Sequence, residues 1–219
     1  MHLNDKISVN KWVEKCSNSE DSPILLYKDQ NTINEALYPG MKKEDFLLVI
    51  MNSSQKEMVS YGNIICLDFT HGINSYGFHL ATFFVLDDKR EGFLAVFIIS
   101  TCQDSVPLAI AFRAVKEQVE VNPEVLMSDD TESFYNTWKL VFGEPNKRLL
   151  CAWYDDCGWR RKIGKLNVPK EQQIEVYKVL RCLLCEIGAE AFEIMMSEAI
   201  GDFEENDLLK EFGMYFKEN

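Results

Sequence analysis

The sequence predicts an α/β protein built on a mixed β-sheet flanked by helices, and three observations carry that prediction. Three apolar runs rich in β-branched and aromatic residues follow one another at 64–68, 78–86 and 93–100, separated only by turn-like segments, as in an antiparallel meander. Beyond residue 105, helical periodicity alternates with short apolar runs, the pattern of strands joined through crossover helices. Finally, 47% hydrophobic and 26% charged residues suffice to bury a core, which excludes the disordered and fibrous classes. At 219 residues, and about 150 residues per domain, the chain has room for one large domain or a core with an appendage.

The elements follow in order. A polar stretch at Ser17–Ser22 and a Tyr38-Pro39-Gly40 turn bracket a weakly patterned leader, so residues 1–60 are expected to form an N-terminal accessory segment and 61–219 the core. Within the leader, Lys43–Met58 predicts a helix with apolar Phe46, Leu47, Ile50, Met51 and Met58. Strands are expected at Ile64–Asp68, Phe78–Leu86 and Phe93–Ser100, then a helix at Ser105–Val119 and a strand at Val125–Ser128. Asp130–Phe142 predicts a helix, because Phe134, Trp138, Val141 and Phe142 fall at i, i+4, i+7 and i+8. Another strand is expected at Leu149–Trp153. Pro169 suits a first helical position, and Val176, Val179, Leu180, Leu183 and Leu184 mark an amphipathic helix breaking near Gly188, with further helix to the end. The order βββ-α-β-α-β-α with a helical C-terminus is the ribonuclease-H-like one, in which three antiparallel strands extend a partly parallel sheet.

Charge and composition limit the partners. Lys and Arg number 23 against 35 Asp and Glu, a net −12, so the surface as a whole should repel nucleic acid and acidic membranes. The charge is uneven, however: Lys147–Lys170 holds seven basic residues against Asp155 and Asp156, whereas Glu171–Asn219 holds twelve acidic against four basic. No run approaches the roughly 18 apolar residues of a membrane span, and residues 1–10 carry no apolar signal-peptide core. Seven cysteines, an odd number, suggest free thiols in a reducing, intracellular compartment. No repeat or low-complexity tract is present.

In a sheet of this order the carboxylates that matter sit on the first core strand, at the end of the fourth, and on the late helix. Asp68 lies inside the apolar run Ile64–Thr70, where an ionised carboxylate is costly unless paired or bound to a cation. Asp129 and Asp130 follow directly on Val125–Ser128, at a strand's C-terminal end, where ligand sites of open α/β sheets gather. They equally suit the N-cap and first turn of the helix after them. Glu186 shares a predicted helix face with Val179 and Leu183. Three such oxygen ligands could hold Mg²⁺ or Mn²⁺, and two ions about 4 Å apart would activate an attacking oxygen and stabilise the leaving one in phosphodiester cleavage.

Other candidates carry less. Cys182-Leu183-Leu184-Cys185 matches Cys-x-x-Cys but has no second pair at zinc-site spacing, so buried core thiols are expected. His71 and His79 flank strand ends with no Ser or Cys nucleophile pattern, and there is no glycine-rich phosphate loop. Trp153, Trp159, Arg160, Arg161 and Lys162 combine aromatics with cations and form a candidate DNA-contact patch, although a Trp pair in an apolar context is more often core.

The stretch Cys66-Leu67-Asp68-Phe69-Thr70-His71-Gly72, then Met127-Ser128-Asp129-Asp130 with Phe134-Tyr135-Asn136 and Trp138, then Leu149–Tyr154 with Trp159-Arg160, resembles the MULE transposase domain of Mutator-like elements in its animal-type form. The likeness extends to Lys42–Phe46 and to Leu183–Glu186, covering roughly residues 25–200. It implies a ribonuclease-H-like nuclease core with a DDE triad that uses Mg²⁺ or Mn²⁺ to cut transposon ends and join them to target DNA. On matching positions Asp68 and Asp129 are the two aspartates and Glu186 the glutamate, with Glu190 and Glu193 as neighbouring competitors. The resemblance further implies transposon and target DNA as partners, allows a homo-oligomer, and places the protein in the nucleus, with the cytoplasm as the alternative. No membrane partner is implied. The family's Cys-x-x-His appears here as Cys151-Ala152-Trp153-Tyr154, and its flanking zinc modules have no counterpart in these residues. The alternative expectation is therefore a catalytically inactive relict, or a domesticated module that binds DNA or protein.

Overall fold

The structure, a computed structural model, describes residues 5–70, 74–87, 89, 91–102, 104–129 and 131–218. It is an α/β protein that divides into two compact units, residues 1–150 and 151–219. The first unit contains α1 (Asp5–Ser17), β1 (Ile24–Lys28), β2 (Leu47–Ile50), α2 (Ser53–Tyr61), β3 (Ile64–Thr70), β4 (His79–Leu86), β5 (Gly92–Ser100), α3 (Ser105–Lys116), β6 (Val125–Ser128), α4 (Glu132–Phe142) and β7 (Lys147–Leu150). Its seven strands form a single sheet in the order β1-β2-β5-β4-β3-β6-β7. The meander β3–β4–β5 is antiparallel throughout, whereas β6 runs parallel to β3 and β7 parallel to β6.

Pleat alternation sorts the side chains of this sheet. Ile65, Leu67 and Phe69 of β3, Ala81, Phe83 and Val85 of β4, and Leu126 of β6 point to one face, where they pack with Phe112 of α3 and Phe134, Trp138 and Val141 of α4. Trp138 is 1% exposed, held between Phe83, Phe112 and Phe142 at ring-centroid distances of 5.5, 5.9 and 4.5 Å. On the other face, α1 covers the β1–β2 end through Val9 and Val13, which meet Phe46, Leu48 and Tyr27. Gly143 ends α4 at φ +98°, a backbone conformation that suits glycine alone.

Two predicted elements are corrected. The helix expected over Lys43–Met58 is instead strand β2 followed by α2. Leu47-Leu48-Val49-Ile50 is apolar on both faces because it lies between β1 and β5 with cores on either side, and such a run fits a helical stripe equally well. Asn52 then starts a new helix through a reciprocal capping box with Gln55. The strand expected over Leu149–Trp153 ends at Leu150, so Trp153 falls in a helix and is 65% exposed.

The second unit is helical: α5 (Ala152–Ile163), α6 (Lys170–Cys185), α7 (Ala189–Glu205) and α8 (Lys210–Glu218). Ile163, Val176, Leu180, Leu183, Ala199, Phe203, Phe212 and Phe216 form its core, with Trp159 packed against it. Gly213 lets α8 approach α7 closely: a Cβ there would stand 2.9 Å from that of Phe203. No helix among the described residues is long and apolar enough to cross a membrane.

Candidate functional site

Asp68 and Asp129 come together because β3 and β6 are parallel neighbours. Leu67 pairs with Ser128, so the next residue of each chain segment, Asp68 and Asp129, stands level with the other. Leu67 and Ser128 are buried on the core face, and alternation carries both aspartates to the opposite, half-exposed face. The apolar run around Asp68 therefore does not bury it; the apolar residues at alternate positions line the core, and Cys66 and Asp68 occupy the other side. Behind the pair, Cys66 and Met127 are in register, with their sulfurs 3.9 Å apart.

Each carboxylate is oriented by a threonine two residues on. The Thr70 hydroxyl donates to Asp68 Oδ2 at 3.0 Å, and the Thr131 hydroxyl donates to Asp129 Oδ2 at 3.0 Å while the Thr131 N–H donates to Asp129 Oδ1 at 3.0 Å. Asp129 thus closes a turn into α4 from two residues ahead of the N-cap, which is Thr131 and not Asp129. A further brace lies on the core face: Phe69, next to Asp68, stacks on Phe134 of the first turn of α4 at 4.5 Å and 17°. Sequence reasoning missed both threonines and this stack, although the repeated Asp-x-Thr spacing was a visible signal.

Glu186 belongs to the second unit. The predicted helix face stops short of it: α6 ends at Cys185, and Glu186 is its C-cap, with extended backbone and Oε1 accepting from the Gly188 N–H at 2.7 Å. Glu190 and Glu193 are exposed on α7. Asp130 and His71 lie outside the described residues, and His79 opens β4 with its ring 6.2 Å from that of Phe69. Cys182 and Cys185 are exposed rather than buried, because the stripe that meets the core is Val176, Leu180 and Leu183.

The Cys151-to-Tyr154 segment forms the first turn of α5, with Cys151 as N-cap and the Tyr154 ring edge-on to Trp153 at 5.0 Å. The three cations of the predicted DNA patch are engaged within their own unit. Arg160 Nε lies 2.9 Å from Oδ2 of the buried Asp156, which also accepts from the Tyr177 hydroxyl at 2.7 Å. Arg161 donates to the Cys157 carbonyl at 3.2 Å, and the Lys162 ammonium lies 4.3 Å from the centre of the Tyr215 ring.

Two half-exposed carboxylates level on neighbouring strands suit a hard divalent cation, which takes oxygen ligands and completes its shell with water or substrate phosphate. Among the described residues no third His, Cys, Asp or Glu joins them. Neither known protein families nor curated proteins yield a match to the chain.

Proposed function

We propose that the first unit is the ribonuclease-H-like core of a MULE-type transposase domain, and that Asp68 and Asp129 hold Mg²⁺ or Mn²⁺ for phosphodiester cleavage and strand transfer on DNA. The observation that carries this reading is the placement of Asp68 on β3, the strand shared by the antiparallel meander and the parallel pair, level with Asp129 at the C-terminal end of β6. That is where an open sheet gathers ligands. A bound cation would offset the repulsion of two adjacent carboxylates and polarise a phosphate oxygen between them. Glu186 as the third ligand, DNA ends and target as partners, and a nuclear setting rest on the sequence resemblance.

A relict without cleavage activity is the second reading. It is favoured by Tyr154 at the family's histidine position and by the commitment of both Asp129 oxygens to Thr131. Manganese titration combined with cleavage of end-labelled DNA separates the two. Saturable Mn²⁺ uptake with nicking that Asp68→Ala abolishes supports the enzyme. Uptake without nicking supports the relict, and recovery of nicking in Tyr154→His then locates the lesion. No Mn²⁺ uptake at all refutes the metal site.

A further inference from the structure

Away from the aspartate pair, the first unit holds a cavity of about 540 Å³ at the N-terminal end of α1, within the size range of small-molecule sites. Four aromatic residues line it as a continuous series. Tyr27 meets Phe46 edge-on at 5.8 Å, Phe46 stacks on Phe78 at 5.0 Å and 8°, and Phe78 adjoins Tyr76 at 6.2 Å. Asp5, Asp29 and Lys6 supply the charges, two negative against one positive. We propose that this cavity binds an organic cation with an apolar shell, a methylated ammonium group, whose charge meets the ring faces and the two carboxylates.

The chemistry of the walls selects that class. Aromatic faces carry negative potential and favour a cation whose methyl groups also gain from leaving water. The tyrosine hydroxyls are kept as neutral donors: Tyr76 donates to Asp5 and Tyr27 to Asn10, and burial together with the Asp29 charge raises the Tyr27 hydroxyl to about 12. Anionic ligands would face Asp5 and Asp29 at close range. The cavity already accommodates one ammonium, because Lys6 Nζ lies 3.1 Å from Asp29 Oδ2 and donates to the Gln30 carbonyl at 3.3 Å, on a side chain 45% exposed. The net charge of −12 adds a long-range attraction for cations.

Calorimetric titration of the full chain tests the assignment with choline, with a peptide carrying one trimethyl-lysine, and with 3,3-dimethylbutanol, the neutral isostere of choline. Saturable binding of choline is expected with a dissociation constant of about 30 mM or tighter, taking ~0.3 kcal/mol for each of its seven heavy atoms. The neutral isostere should bind at least about tenfold more weakly, and Tyr76→Leu, at a ring 64% exposed, should weaken choline about threefold. Lys6→Gln should tighten choline severalfold by removing the internal competitor, whereas an anion site would weaken on losing it. A peptide affinity well above that of choline assigns the cation to a protein tail, and equal affinities assign it to a free metabolite. Equal binding of the neutral isostere, weaker binding by Lys6→Gln, or no saturation by any of the cations would overturn the proposal.

Discussion

Replacing Asp68 by Asn removes one charge of the aspartate pair while keeping an oxygen for the Thr70 hydroxyl, so charge is tested with little change of shape. Neighbouring strands lie about 4.8 Å apart. At that separation two like charges repel by roughly 3 kcal/mol at an effective dielectric of about 20. Because both carboxylates are half-exposed, solvent screening reduces the relief to about 1 kcal/mol. In EDTA, Asp68→Asn should therefore be more stable than the parent protein by about 1 kcal/mol. With Mn²⁺ at a hundred times its dissociation constant, the parent gains about 2.7 kcal/mol and the variant little, so the order reverses. Urea unfolding followed by circular dichroism, with chelator and with metal, reads both values. Equal gains from Mn²⁺ in the two proteins would refute the cation site, and a variant weaker in EDTA would refute the adjacency of the charges as the source of strain.

Two further expectations follow from packing and titration. Trp138→Ala should cost about 3–5 kcal/mol, because the ring is buried among Phe83, Phe112 and Phe142, and urea denaturation measures it; a cost under 1 kcal/mol would contradict the core assignment. Tyr27 titrates at about 12 in the folded chain against 10 when unfolded, so its hydroxyl stabilises the fold below pH 10 and that contribution is lost as pH rises from 10 to 12. The difference in stability between the parent and Tyr27→Phe, about 1 kcal/mol after screening, should shrink across that interval, and a difference that stays constant would show that the hydroxyl does not titrate there.

The legible parts of the sequence were the apolar runs bounded by turn-like segments and the helix with clear periodicity. β4, β5 and β6 were marked by runs rich in β-branched and aromatic residues and α4 by its 3.6-residue spacing, each to within a residue or two. β2 was misread because both of its faces are covered, which erases the alternation that distinguishes a strand from a helix. The adjacency of Asp68 and Asp129 could be anticipated only through the strand order, since 60 residues and a crossover separate them. The end of α6 was hidden because the Leu183-Leu184-Cys185 run continues the apolar stripe into the C-cap, and only Gly188 beyond it signals a break. The aromatic cavity draws residues from α1, β1 and two loops, and no single window of sequence contains it.

The position of β2 has a practical consequence for anyone preparing a minimal fragment. The sequence suggests trimming at residue 60, yet Leu47–Ile50 hydrogen-bonds along Phe97–Ser100 and shields that side of β5. A fragment begun at residue 61 would leave the bare backbone of a strand rich in Phe and Ile open to any passing chain, the usual starting point for edge-to-edge aggregation. The first fifty residues thus act as a molecular hem, and a soluble fragment of the first unit must keep them or replace the strand they supply.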